Sequence, residues 1–249
     1  MNIKELSFVE YIGIEEQNLL TSMTNFRKEF DLFFNIDKIY QEPLRRLDTP
    51  EKELIVPQLY LFVHYHLYFS VSCLLRSHLS ECLNSMRKAI DASLTAYKLI
   101  LEPELTKKYI NRDKYFQFIK GNFQREISRN ETKYPLAKTL LILHDACSEF
   151  GSHSDISSFF HRLEFKEISE SNKQKVLLHY FQFPRNSEEY RFYYLVTLQA
   201  FFQMFLVFKI FLDQKLKIYD PKWEETIKFL GPELEKLRKQ SRAKFAGNS

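Results

Sequence analysis

Glycine is scarce in this chain: five residues in 249. With only eight prolines beside them, there is little material for tight turns. That points to long helices and away from a many-stranded sheet. It also excludes function classes. No glycine-rich phosphate loop, no H-E-x-x-H and no G-x-S-x-G occurs. Cysteine is equally thin: Cys73, Cys82 and Cys147, an odd number without a C-x-x-C. The pattern fits free, buried thiols in a reducing compartment. Cys73 and Cys82 sit among apolar neighbours, whereas a nucleophilic thiol needs an electropositive, partly open setting. The first ten residues, Met1 to Glu10, are acidic and amphipathic rather than basic and then apolar, so no signal or transit peptide is expected. The cytoplasm is the expected location.

A strong excess of charge is missing too. The formal net charge is +4, which does not force a nucleic-acid partner. The charge is uneven, however. Residues 1–60 hold 11 acids against 7 bases, residues 104–138 hold 9 bases against 4 acids, and five bases with no acid follow Glu235. Aromatic side chains are what the chain has in quantity, 24 Phe and 14 Tyr. At this length it can bury a sizeable core without disulfides or metals.

Apolar spacing places helices along most of the sequence. Residues 15–40 carry Leu19, Met23, Phe26, Phe30 and Phe33 at helical spacing, with an end expected before Pro43. Asp48-Thr49-Pro50-Glu51 is a helix-start signature. Leu54–Leu75 has no formal charge, Ser77-His78 interrupts, and a second helix runs from Leu79 to Leu101. Its stripe is Leu79, Leu83, Met86, Ile90, Leu94, Tyr97 and Leu101. Further helices are expected over 104–127, 135–150 and 186–217. A last one starts at Pro221 and is interrupted at Gly231-Pro232, with a frayed basic tail after Lys236. Residues 158–183 alternate and turn through Ser-Glu-Ser-Asn-Lys-Gln, which predicts a β-hairpin.

The expected fold class is mostly α, a multi-helix bundle with a β-hairpin insertion around 158–183. It reads as one helical domain over 1–249: an N-terminal helical segment (1–50), core helices (51–155), the hairpin, and C-terminal helices (186–245). Two uncharged runs, Leu54–Leu75 and Phe192–Phe208, approach the length of a membrane span. Pro57, Gln58, His64, His66, Ser70 and Ser72 in the first, and Thr197, Gln199 and Gln203 in the second, are costly in hydrocarbon. Two core helices are therefore expected, and no membrane.

Between Leu74 and Leu105 a family resemblance enters. An apolar helix ends at Leu74-Leu75. After a short break comes a helix with Glu81-Cys82 and Met86-Arg87-Lys88-Ala89-Ile90-Asp91, then Tyr97 and Pro103-Glu104-Leu105. A later Ser-x-x-x-x-His element is Ser148 to His153. Over residues 55–155 this resembles a group of bacterial all-helical proteins catalogued as domains of unknown function. Two positions depart from the group's pattern. Its helix joint usually holds Gly, where this chain has Ser77-His78, and its acid is usually Glu, where this chain has Asp91. The group implies a fold more than an activity. It also invites comparison with HEPN-like helical ribonucleases of bacterial defence and toxin–antitoxin systems. Their signature is an Arg followed after four to six residues by a His, and none of the seven histidines here has it.

The candidate site residues are Arg87, Asp91, Glu149 and His153. Arg87 and Asp91 lie four apart on one helix face, either as an exposed pair or as an anion-binding cleft facing His153. Asp145, Glu149 and His153 follow at four-residue steps, but Gly151 breaks the line and leaves too few converging ligands for a metal. His64 and His66, about 200° apart around a helix, cannot share an ion. No cofactor and no metal are expected. The first reading of function is a protein-interaction or self-association module, with a protein partner or a homo-oligomer, exposed through the aromatic helix 190–212 and the hairpin. The alternative is a HEPN-like nucleic-acid-binding protein or ribonuclease that uses the basic 104–138 segment.

Overall fold

The computed structural model describes residues 8–45, 54–129, 132–151, 163–168, 173–178, 187–215 and 220–247. In chain order the helices are α1 (Phe8–Asn25), α2 (Arg27–Leu44), α3 (Ile55–Leu75) and α4 (Leu79–Leu101). A 3-10 turn (Pro103–Leu105) leads to α5 (Thr106–Ile110), α6 (Lys114–Gln117), α7 (Ile119–Arg129) and α8 (Ala137–Gly151). Last come α9 (Ser187–Lys215) and α10 (Pro221–Gly247). The class is all-α, as the sequence implies.

Helix α9 is the mast of the bundle. It is apolar nearly all round, and a helix of that kind has to be surrounded. α2, α3, α4, α8 and α10 pack against it. Tyr190, Tyr194, Leu198, Phe201, Phe205 and Phe208 are all buried. The expected exposed aromatic face on 190–212 is thus corrected. The side chains that looked like an interface fill the core. Ser187–Gln214 is long and apolar enough to cross a membrane by length and composition, and 67% of its most apolar window is buried inside the bundle. Buried hydroxyls and one indole tie the layers together. Tyr40 donates to the Phe201 carbonyl at 2.7 Å, Tyr60 to the Tyr40 carbonyl at 2.7 Å, and Trp223 Nε1 to the Ile39 carbonyl at 3.1 Å. Each bond satisfies a polar group that burial would otherwise penalise.

The joint between α3 and α4 is a Schellman motif. Ser77 sits in the left-handed region at φ 69°. His78 N donates to Cys73 O at 2.8 Å, and Ser77 N to Leu74 O at 2.9 Å. That closes the end of α3 and reverses the chain, so α3 and α4 pack side by side.

Several boundaries differ from expectation, each for a physical reason. The helix expected over 15–40 is two, broken at Phe26 (φ −110°, ψ 35°), whose ring is buried beside Tyr194. α2 runs past Pro43 to Leu44, because a proline in the last turn removes only one intrahelical bond. The helix expected over 104–127 is a 3-10 turn and three short helices, with Arg112 at φ 55° and Asp113 capping α6 through Tyr115 N at 2.7 Å. α10 continues through Gly231-Pro232 to Gly247, so neither the interruption nor the frayed tail is present. The buried stripe Trp223, Ile227, Leu230 and Leu234 holds it on its neighbours across the proline.

Leu163–Ile168 (β1) and Lys173–Leu178 (β2) have strand backbone paired antiparallel, Leu163 opposite Leu178. Their side chains, and residues 152–162 and 179–186, lie outside the described residues. The helical bundle accounts for the described core without them.

Candidate functional site

Arg87 and Asp91 lie one turn apart on α4, half-buried, on the edge that faces α8. The histidine they meet is His144, not His153. α8 presents Leu140, Leu141, His144 and Cys147 as its inner stripe, all buried. Arg87 Nε lies 3.4 Å from His144 Nε2, and Asp91 Oδ1 lies 3.2 Å from the same nitrogen. Nε2 cannot serve both partners in one protonation state. With its hydrogen on Nδ1 the ring accepts from Arg87. With a hydrogen on Nε2 it donates to Asp91. On the other side of the ring, Nδ1 faces Ser148 Oγ at 3.4 Å and Asp145 Oδ1 at 3.8 Å. Lys120 of α7 pairs with Asp145, and that bond holds the Asp145 carboxyl below its usual range.

Arg87, Asp91, Lys120 and His144 line a cleft of about 740 Å³ between α3, α4, α8 and the 109–121 segment. Its cationic side chains are Arg87, Lys88 and Lys120, its aromatic ones Phe62, Tyr109, Phe116 and Phe118, and its polar ones Gln58, Thr95 and Gln117. The volume suits a small-molecule site, with apolar walls and a few converging polar groups. Behind it, the thiol of Cys147 is pushed up to about 12 by burial, against the opposing field of Arg87, so it is inert there.

Of the four expected site residues, the structure brings Arg87 and Asp91 to the cleft. Glu149 is exposed on the last turn of α8 and does not line it. His153 lies outside the described residues, and so does its proposed meeting with Arg87. Sequence reasoning missed His144 and Lys120. The signal for His144 was present: a lone histidine inside the apolar stripe of α8 needs a polar partner from another helix. Among the described residues no group of three or more His, Cys, Asp or Glu could hold a metal ion.

Two further buried histidines, His64 and His66, are held by bundle contacts. His64 Nε2 donates to Asp37 Oδ1 at 2.8 Å while its ring stacks on Tyr40. His66 Nδ1 shares a hydrogen bond with Ser85 Oγ at 2.7 Å, and burial, with Lys88 nearby, holds its protonation below the usual range. The two histidines do point to different partners.

A second ionic knot closes the far end of α4. Lys98 is buried, only 3% exposed. Its Nζ donates to Glu102 Oε1 at 2.9 Å, Glu126 Oε2 at 2.5 Å and the Tyr134 hydroxyl at 2.6 Å. Tyr115 donates to Glu126 at 2.7 Å, and Lys133 reaches Glu102 at 2.5 Å. The rings of Tyr115, Phe123 and Tyr134 surround the ammonium at 4.9–5.9 Å. Partial burial raises the Glu102 carboxyl, but hydrogen bonds from Lys133, Tyr134 and Lys98 outweigh it and bring it to about 2. The knot joins α4 to α6, α7 and the chain before α8, and so places Lys120 opposite His144. No protein-family model matches the chain, and no curated protein or solved structure matches it.

Proposed function

We propose that the cleft between α4, α7 and α8 binds a phosphate-bearing ligand with an aromatic ring. Such a ligand is a nucleotide, free or as a unit of single-stranded nucleic acid. The observation that carries this reading is the convergence of Arg87 and His144 on one open wall, with Lys88 and Lys120 on the rim and four aromatic rings around them. An arriving phosphate gives the Arg87 guanidinium a stronger, charge-assisted partner than imidazole. Arg87 then leaves Nε2, which is released to donate to Asp91 or to the ligand. Phe116 and Phe118 offer faces on which a base stacks.

The test is fluorescence anisotropy with a labelled single-stranded RNA decamer, competed with AMP. Binding is expected to weaken at least tenfold in Arg87→Ala. Competition by AMP identifies a single-nucleotide pocket, and its failure a strand-binding one. No binding to either probe, or binding unchanged in both Arg87→Ala and Lys120→Ala, overturns the reading.

The resemblance to bacterial helical proteins, a place inside the cell and the β-hairpin insertion at 158–183 belong to the same proposal. The strand pairing of 163–168 with 173–178 supports the hairpin, and backbone chemical shifts lacking strand values there would remove it.

A further inference from the structure

α3 buries one face, and no described residue covers the opposite one. Its exposed large side chains are Leu61, Phe62, Tyr65, Tyr68 and Phe69, each between 41% and 59% exposed. Tyr65 is the most exposed at 59%, and it is the middle residue of Ile55–Leu75. The others stand at three and four residues on either side of it. Beyond them lie neutral polar residues at seven residues on either side, Gln58 and Ser72. The stripe therefore runs from large apolar to neutral polar in both directions from Tyr65, though not with identical residues.

We infer that this face pairs with the same face of a second copy, with the two α3 helices antiparallel about a two-fold axis at Tyr65. Three observations support that occupant. First, an isologous contact needs a self-complementary surface, and a stripe symmetric about the helix centre is one. In antiparallel register Leu61 meets Phe69 and Phe62 meets Tyr68 of the other copy, large against large over the central turns, residues 61–69. Second, Leu54–Leu75 carries no formal charge, so two copies meet without like-charge repulsion, and their helix dipoles oppose favourably. Third, the area comes near what a dimer needs. With Phe34 of α2, 54% exposed next to Phe33 and its contact Tyr68, six large side chains at about half exposure leave roughly 600 Å² of apolar surface. That is the upper end for a monomer's largest patch. It approaches the ~800 Å² per partner of a standard interface. Tyr68 keeps its hydrogen bond to Asp37 Oδ1 at 2.6 Å, which holds its ring at the edge of the face.

The inference does not depend on the ligand of the cleft, although Phe62 and Gln58 border both surfaces. A second copy seated there becomes part of the cleft's outer wall.

The experiment is sedimentation equilibrium of the full chain from about 1 to 100 µM. The expected particle has twice the 30.0 kDa chain mass. Tyr65→Glu places two carboxylates against each other on the axis and is expected to weaken the dimer at least tenfold. Phe229→Glu, equally exposed on α10, is expected to leave it intact. Circular dichroism checks that both variants keep their helix content. In addition, Tyr65→Cys is expected to cross-link to itself with a short bismaleimide, since the axis brings each copy's residue 65 to the other's. A monomer at every concentration, a dimer indifferent to Tyr65→Glu, or no cross-link at residue 65 overturns the inference.

Discussion

Replacing Lys98 with Met removes one charge from an enclosed ion cluster while keeping a flexible chain of similar length. In the native protein the ammonium holds two carboxylates and a phenol, itself only 3% exposed. Breaking a fully buried pair costs ~3–5 kcal/mol, because the partner is left uncompensated. Glu102 and Glu126 are 21% and 29% exposed, so water screens part of that loss. The expected cost is about 2–3 kcal/mol at pH 7 once surface screening is allowed for. The pH dependence is the sharper signature. Both carboxyls have folded values held below the ordinary 4.5, Glu102 at about 2. A depressed carboxyl contributes stability that is present above its unfolded value and lost as pH falls through the folded one. The native protein therefore loses this contribution between pH 4.5 and 2, while the variant keeps only the part that Lys133, Tyr134 and Tyr115 supply and so has less of it to lose. Urea unfolding followed by circular dichroism at pH 7.0 and 3.5 should show the gap between the two proteins narrowing on acidification. A loss below ~0.5 kcal/mol at pH 7, or a gap that does not change with pH, would refute the claim that Lys98 shares in holding these carboxylates ionised.

At the α3–α4 joint, Ser77→Gly relieves a left-handed backbone and is expected to be neutral or to stabilise by up to ~1 kcal/mol, whereas Ser77→Val should destabilise by more than ~1 kcal/mol, read as Tm. Gly13→Ala in α1 meets nothing within 4 Å and should gain about 0.5–1 kcal/mol of helix propensity in urea unfolding. Gly231→Ala should gain nothing or lose, because its Cβ would stand 3.1 Å from Cε1 of the buried Phe202 ring; a gain equal to that at Gly13 would show the ring free to yield. Burial pushes the thiols of Cys82 and Cys147 up to about 12 and that of Cys73 to about 11. At pH 8 a thiol-reactive dye should label none of them in minutes in the native protein and all three in guanidinium, and rapid native labelling would contradict this packing.

How much of this could be read from the sequence follows from how local each cause is. The limits of α3 and α4 were legible because an uncharged run, a polar break at Ser77-His78 and the stop at Pro103 all act within a few residues. The fragmentation of 104–129 was not, because Asp113 and Arg112 set it through backbone dihedrals that apolar spacing does not report. The Gly231-Pro232 break was expected from local rules and overridden by packing of the buried stripe on α10. The cleft was half legible. Arg87 and Asp91 share a face by spacing alone, but their partner His144 is 53 residues beyond Asp91 and arrives only when α8 docks on α4. α9 was misread for a related reason. A helix apolar on every side announces burial, yet much of what covers it comes from α2 and α3, more than a hundred residues upstream.

That last separation has a consequence for how the protein is made. Tyr40 waits for the carbonyl of Phe201, 161 residues further on, and the carbonyl of Ile39 waits for Trp223, 184 residues on. At ~5–20 residues per second of synthesis, the inner faces of α2, α3 and α4 stand without their central helix for roughly 10–30 s. Over that interval the nascent chain presents apolar surface of the kind that chaperones recognise, and its core closes only once α9 and α10 have been made.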